Sequence, residues 1–222
     1  MDFKQARYNM VEQQVRPWDV LDAAVLEVIS EIPREDFVPQ DQKNLAYADT
    51  RILLGSYEGH PQRMLNPNIE GRLLQALDIQ NDDIVLEIGT GSGYLTACLA
   101  HLGRHVDSVD IDPAMTAMAE NNLATLNVSN VSLSTGDAAD DWNEQKPYYD
   151  VIAITASMRA VPNAYRNRLK TGGRLFVICG EAPVMKALLI TRIDKNEWRE
   201  EELFETSVEP LIHAEPKRQF IF

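Results

Sequence analysis

A chain of 222 residues and 25.0 kDa, with 45% hydrophobic and 25% charged positions, is long enough to bury a core as one globular domain. That excludes a disordered tail or a small scaffold that needs staples. Acids outnumber bases 34 to 21 for a net charge of −13, and neither the first 80 residues (13 acids, 8 bases) nor the remainder (21 acids, 13 bases) is basic. Phosphate neutralisation needs clustered Lys and Arg, so a broad nucleic-acid surface is excluded while a small recessed site is not.

Met1 to Arg16 has no apolar run of the signal-peptide kind, and no stretch approaches 18 apolar residues, so neither secretion nor membrane spanning is expected. The two cysteines, Cys98 and Cys179, have no metal-type spacing. They read as reduced thiols of a cytoplasmic protein, with no metal site.

In chain order, Val20 to Ile29 places Leu21, Val25, Val28 and Ile29 on one helical face, with Asp19 as its N-cap. Glu35 to Leu65 reads as a loop-rich segment. A second helix starts at Asn66 with Pro67 in its first turn and buries Ile69, Leu73, Leu74 and Leu77. Beyond residue 80 the pattern changes to strands at Ile84–Ile88, His105–Val109, Val131–Ser134, Val151–Thr155, Arg174–Cys179 and Ala187–Ile193. Helical stretches at Tyr94–Leu102, Pro113–Leu126 and Pro162–Leu169 fall between them. Such alternation means parallel strands with right-handed crossovers, hence an α/β, doubly wound, mostly parallel sheet behind a helical N-terminal extension. Leu203–Ser207 and Val208–Ile212 read as strands with no helix between them, an antiparallel edge, and Glu197 to Glu202 reads as a solvated acidic turn.

The strongest local signal is Val85-Leu86-Glu87-Ile88-Gly89-Thr90-Gly91-Ser92-Gly93-Tyr94, a buried strand running through three alternate glycines into a helix. Such a turn lets a ligand approach the backbone at a helix N-terminus. The dinucleotide fingerprint G-x-G-x-x-G requires glycine where Tyr94 stands, which disfavours a pyrophosphate ligand. Asp110 ends the second strand 21 residues after Gly89, where a carboxylate can accept both ribose hydroxyls; Gly136-Asp137 follows the third strand, where an adenine can be held. Together these positions describe a nucleoside pocket.

From residue 66 onward these motifs resemble the S-adenosylmethionine-dependent methyltransferase superfamily, with its Rossmann-like seven-stranded sheet. That resemblance implies S-adenosyl-L-methionine as cofactor, with Glu87, Gly89, Thr90, Gly91, Ser92 and Gly93 flanking its amino-acid part. Asp110 and Ile111 would then lie at the ribose, and Gly136, Asp137 and Ala138 at the adenine. Met10-Val11-Glu12-Gln13-Gln14-Val15, Ile32-Pro33-Arg34-Glu35-Asp36-Phe37-Val38-Pro39, Ala46-Tyr47-Ala48-Asp49 and Val208-Glu209-Pro210-Leu211 extend the match over nearly the whole chain. These segments are similar to the protein-L-isoaspartate O-methyltransferases, which implies a single domain over residues 1–222: a substrate-side segment at 1–65 and a cofactor core at 66–222. The implied activity is methyl transfer to a carboxylate of damaged protein.

The substrate side departs from the family. Repair members carry Gly-Gln-Thr-Ile-Ser-x-Pro, whose serine serves the active site; here Pro61-Gln62-Arg63-Met64-Leu65-Asn66-Pro67 has Leu65 at the serine position and Arg63 at the threonine position. The stretch between Gly55 and Gln62 is also longer than in the family. A carboxylate with a pKa of roughly 4 is already ionised at neutral pH, so methyl transfer to it needs alignment and exclusion of water more than a base. Thr155, with Ser56 and Ser157, is a candidate hydroxyl in place of the missing serine. Asp49 is a candidate to order the substrate loop or to touch substrate, and His60 becomes a base only for a phenol or amine acceptor. Three readings stay open: isoaspartyl repair, a related enzyme with another acceptor, and a cofactor-binding protein without turnover.

Overall fold

In the computed structural model, which describes residues 1–142 and 148–214, the chain begins with helices α1 (Phe3–Met10) and α2 (Ala23–Glu31). A hairpin of β1 (Ile52–Tyr57) and β2 (His60–Met64) follows, then α3 (Pro67–Leu77). The remainder is β3 (Ile84–Ile88), α4 (Tyr94–Leu102), β4 (His105–Asp110), α5 (Pro113–Thr125), β5 (Val131–Thr135), β6 (Tyr149–Met158), α6 (Asn163–Arg168), β7 (Leu169–Glu181), β8 (Val184–Asp194) and β9 (Glu197–Thr206). The end of the expected single domain, 215–222, lies outside the described residues.

The apolar runs of β3, β6 and β7 are buried on both faces, as strands covered by crossover helices must be. The sheet order is β5-β4-β3-β6-β7-β8-β9, with β3 to β7 parallel and β8 and β9 added antiparallel. From β3 the chain winds outward through β4 to β5, then crosses back to β6 on the other side of β3. The crevice beyond the carboxyl ends of β3 and β6 is therefore the topological switch point, where open parallel sheets bind ligands. This is the expected α/β fold.

The N-terminal extension is tied to this sheet by buried charge. Arg34 is fully buried: it pairs with Glu70 of α3, donates from Nη2 to the Leu65 carbonyl at 2.6 Å and stacks over the Tyr94 ring at 4.8 Å. Burial pushes the Glu70 carboxyl up to about 7 against the lowering effect of Arg34. Removing one partner alone strands a buried charge, at a cost of about 3–5 kcal/mol. Glu35 accepts from the Tyr47 hydroxyl and from Arg7, so the Arg34-Glu35 and Ala46-Tyr47 segments form one latch.

Four expectations are corrected. Helix α2 starts at Ala23, capped by Asp22, whose carboxylate accepts from the Val25 N–H at 2.9 Å; Asp19 instead ends a short 3-10 turn with a positive φ of 59°. Residues 52–64 form a hairpin rather than loop, closed by Glu58 (φ 50°) and Gly59 (φ 81°). Two successive positive φ values make the tight turn that matches strand twist, and a Glu in its first position hides the usual Asn-Gly or Asp-Gly signal. Glu197 to Glu202 lie in edge strand β9, with the turn at Lys195-Asn196; Glu200 and Glu202 pair with Arg166 and Lys186. Charges along an edge strand protect it from pairing with other chains. Val208–Ile212 is a strap joined to β6 by a single bridge, Ser157 to Pro210, and not a strand.

Candidate active site

A cavity of about 130 Å³ opens at the switch point. Its inner wall consists of sheet-end residues Ile88, Gly89, Gly91, Asp110, Ile111, Gly136, Asp137, Ala138 and Thr155; its outer wall is the hairpin (Leu54, His60 to Arg63, Leu65) with the strap 208–212. A smaller adjoining space of about 40 Å³ is lined by Thr90 and Ser92 as well as Leu65 and Thr155.

The inner wall is set by backbone geometry. Gly89 has φ +95°, and a Cβ there would lie 2.3 Å from Thr155 Oγ1, so only glycine fits. Thr155 Oγ1 donates its single proton to the Ile88 and Gly89 carbonyls at 3.0 and 2.8 Å, which pins the loop to β6. Asp110 accepts from the Gly91 N–H at 2.9 Å and the Asp112 N–H at 3.0 Å, so its carboxylate is oriented before any ligand arrives. Burial raises its pKa, and these N–H bonds oppose that shift.

Glu87 lies buried beneath the loop. Its Oε2 accepts from Thr96 and Ser108, and Ser108 also bonds Thr90 at 2.6 Å; its Oε1 is buried with no partner. Burial, partly offset by those hydroxyls, pushes the Glu87 carboxyl up to about 8. Gly93, at the N-terminus of α4, closes the turn against α5 and does not line the cavity.

The expected nucleoside residues therefore converge, with Glu87 and Gly93 as the loop's support. The two candidates on the acceptor side are placed differently. Asp49 lies outside both cavities and accepts from Asn66 Nδ2 at 2.7 Å, tying its loop to the start of α3. Thr155 lines the cavity, but its proton is committed to the glycine loop. Of the other hydroxyls, Ser157 Oγ donates to the Val208 carbonyl at 3.1 Å and holds the strap, while exposed Ser56 lines neither cavity.

Sequence reasoning missed the strap as a wall, and with it two polar clusters. Glu209 bridges Arg51 (2.7 Å) and Arg63 (3.2 Å) at the outer wall. His213 joins Asp137 Oδ2 (2.8 Å) to Glu58 Oε2 (3.2 Å), linking the inner wall to the hairpin turn, and these hydrogen bonds raise its pKa. The Val-Glu-Pro-Leu segment was a usable signal for the strap, but its charge partners lie some 150 residues earlier in the chain, beyond the reach of local pattern.

A mostly parallel sheet whose glycine loop and two strand-end aspartates face one cavity is the arrangement in which the sequence resembles the S-adenosylmethionine-dependent methyltransferase class. Comparison with known proteins narrows that class. A family model described as protein-L-isoaspartate(D-aspartate) O-methyltransferase matches residues 5–213. The protein-L-isoaspartate O-methyltransferase of Petrotoga mobilis is 33% identical over 201 residues, covering 90% of this chain and 92% of the relative. A solved protein-L-isoaspartate O-methyltransferase superposes with a TM-score of 0.80 at 24% identity, covering 92% of this chain and 65% of that one. A Plasmodium falciparum structure named for the same enzyme, in complex with S-adenosyl-L-homocysteine, superposes with a TM-score of 0.77 at 18% identity, covering 95% and 98% of the two chains. The chain belongs to the protein-L-isoaspartate O-methyltransferase family, and S-adenosylmethionine is its cofactor. The cavity fits that group: an unpartnered buried carboxylate oxygen lies beneath the loop, a Cβ at Gly89 has no room, and the Asp110 carboxylate at the cavity is held in place by the Gly91 N–H.

Proposed function

We propose that this protein methylates a free carboxylate of isoaspartyl or otherwise damaged protein, using S-adenosylmethionine. When bound, the cofactor supplies a methyl group on a positively charged sulfur. The residues assigned to hold it are Gly89 to Ser92 at its amino-acid part, with Glu87 and Gly93 supporting that loop from behind, Asp110 and Ile111 at the ribose, and Gly136, Asp137 and Ala138 at the adenine. The nucleophile is already an anion, so no residue has to remove a proton. The chain's task is to align the acceptor oxygen and keep water out, and alignment of this kind supplies much of a transfer enzyme's acceleration.

The single observation carrying this reading is the two-walled cavity, with the glycine loop and strand-end aspartates on the sheet side and, facing them, a mainly apolar wall of hairpin and strap that carries Arg63 and Glu209. Thr155 and Ser157 act as fasteners of loop and strap, and Asp49 orders the loop before α3. Location in the cytoplasm is part of the proposal, supported by the two unpaired cysteines, Cys98 and Cys179. Among the described residues no helix is long and apolar enough to cross a membrane.

Two assays on the purified protein test the reading. Calorimetry with S-adenosyl-L-homocysteine is expected to show binding, and an isoaspartyl peptide is expected to accept a methyl group whereas its aspartyl counterpart is not. Cofactor binding without turnover on the isoaspartyl peptide would overturn the repair activity.

A further inference from the structure

Leu65 removes the hydroxyl that the family motif places at the acceptor, and neither Thr155 nor Ser157 has a proton to spare for it. A guanidinium, that of Arg63, lies two residues away. Arg63, near the end of β2, and Leu65, just beyond it, both line the cavity. Arg63 is opposite Leu53 in the hairpin register, and Arg51 lies two residues before Leu53, so both guanidiniums belong to one face of the hairpin.

Between them lies a carboxylate. Glu209 of the strap offers one oxygen to each arginine, Oε2 to Arg51 Nη1 at 2.7 Å and Oε1 to Arg63 Nε at 3.2 Å. Glu209 lines the same cavity. In this cluster two guanidiniums stand against one carboxylate, with Arg63 and Glu209 at the cavity and Arg51 behind its lining. Arg159, directly after β6, is paired with exposed Glu181 at 2.5 Å and lines neither cavity. The three side chains are about one-third exposed, open enough for exchange of partners and closed enough for charge to count.

We infer that Arg63, backed by Arg51, is the acceptor-carboxylate site of this protein and that Glu209 is its built-in competitor, occupying the two guanidiniums until an acceptor carboxylate replaces it. The inference rests on the proposed methyl transfer and names its specificity element. A guanidinium fork offers two parallel N–H donors to a carboxylate, a stronger and more directional grip than one hydroxyl. Arg63 is thus a specificity and positioning residue that replaces the family serine by charge. A carboxylate borne by a peptide and one borne by a small acid share this chemistry, and two probes separate them.

The test is calorimetry on the whole protein saturated with S-adenosyl-L-homocysteine, titrated with an isoaspartyl peptide or with succinate. Arg63→Met is expected to weaken the preferred probe at least 10-fold, Arg63→Lys to recover part of the loss, and Glu209→Gln to tighten binding about 3- to 10-fold by removing the competitor. A single cooperative thermal unfolding transition in all three verifies that each variant is folded. A purely structural ion pair predicts instead that Glu209→Gln and Arg63→Met damage binding alike. That result, or unchanged affinity in Arg63→Met, or no binding of either probe by the wild type, overturns the inference. Tight Arg63-dependent succinate binding with weak peptide binding supports the subsite and assigns it to a small acid. Arg63-dependent peptide binding without methyl transfer supports the subsite while overturning the proposed reaction.

Discussion

The two walls of the cavity are built by different physics. The inner wall is held by backbone groups of the central sheet: Gly89 N–H donates to the Val109 carbonyl at 2.8 Å, and Gly136 N–H to the Asp110 carbonyl at 2.9 Å. The outer wall is a hairpin with no third strand among the described residues, held to the strap by the partly exposed ion pairs of Glu209 and tied to the inner wall through His213. A wall made of main-chain geometry tolerates few residue types at each point, whereas a wall of side-chain charge can change its chemistry without disturbing the sheet behind it.

Four substitutions sharpen this contrast, in falling order of effect. Gly89→Ala places a Cβ at 2.3 Å from Thr155 Oγ1 in a backbone conformation that L residues avoid. We expect it to abolish S-adenosyl-L-homocysteine binding in calorimetry and to cost at least about 2 kcal/mol in denaturant unfolding. Asp110→Ala removes a charged acceptor worth about 1.5–3 kcal/mol, so cofactor affinity should fall about 10- to 100-fold while the acceptor KM stays constant. Equal loss on both sides would show that the walls are not independent.

Leu65→Ser restores the family hydroxyl on the outer wall at the expense of a buried apolar side chain, at about 2–3 kcal/mol by thermal or chemical unfolding. With Arg63 holding the acceptor, kcat/KM for the isoaspartyl peptide should change less than about 10-fold, whereas a gain of about 10²-fold would show that the serine alone was missing. The smallest effect is expected from His213→Gln. Hydrogen bonds to Asp137 and Glu58 raise the His213 pKa, so its contribution is fully present below the ordinary histidine value of about 6.5 and is lost as pH rises through the raised value. The variant should therefore melt below the wild type at pH 5.5 and together with it at pH 9, as followed by thermal unfolding.

The same contrast explains what was legible in the sequence. β3, the glycine loop and the strand-end aspartates are local patterns, a short apolar run and fixed offsets within some fifty residues, and all of them are found where the pattern predicts. The hairpin failed to show because Glu58 occupies a turn position that Asn or Asp usually marks, and because β2 (His60–Met64) is largely polar, with only Met64 buried. The acidic edge failed for the opposite reason: charge was read as solvated turn, although an edge strand is where charge is most useful. The Arg51–Glu209–Arg63 and Glu58–His213–Asp137 clusters join residues far apart in the chain, and no window of sequence contains them.

The tight turn at Glu58-Gly59 has a further consequence for time rather than for shape. Because among the described residues β1 and β2 pair with no strand but each other, their amides can exchange with solvent through a local opening that leaves the parallel sheet intact. The amides of β3 and β6, central in the seven-stranded sheet, exchange only when the whole fold opens. In deuterium-labelling experiments the molecule should thus show two clocks, a fast one on the hairpin side, proposed to receive the acceptor, and a slow one on the sheet side, proposed to hold the cofactor. Binding of the acceptor should slow the first without touching the second.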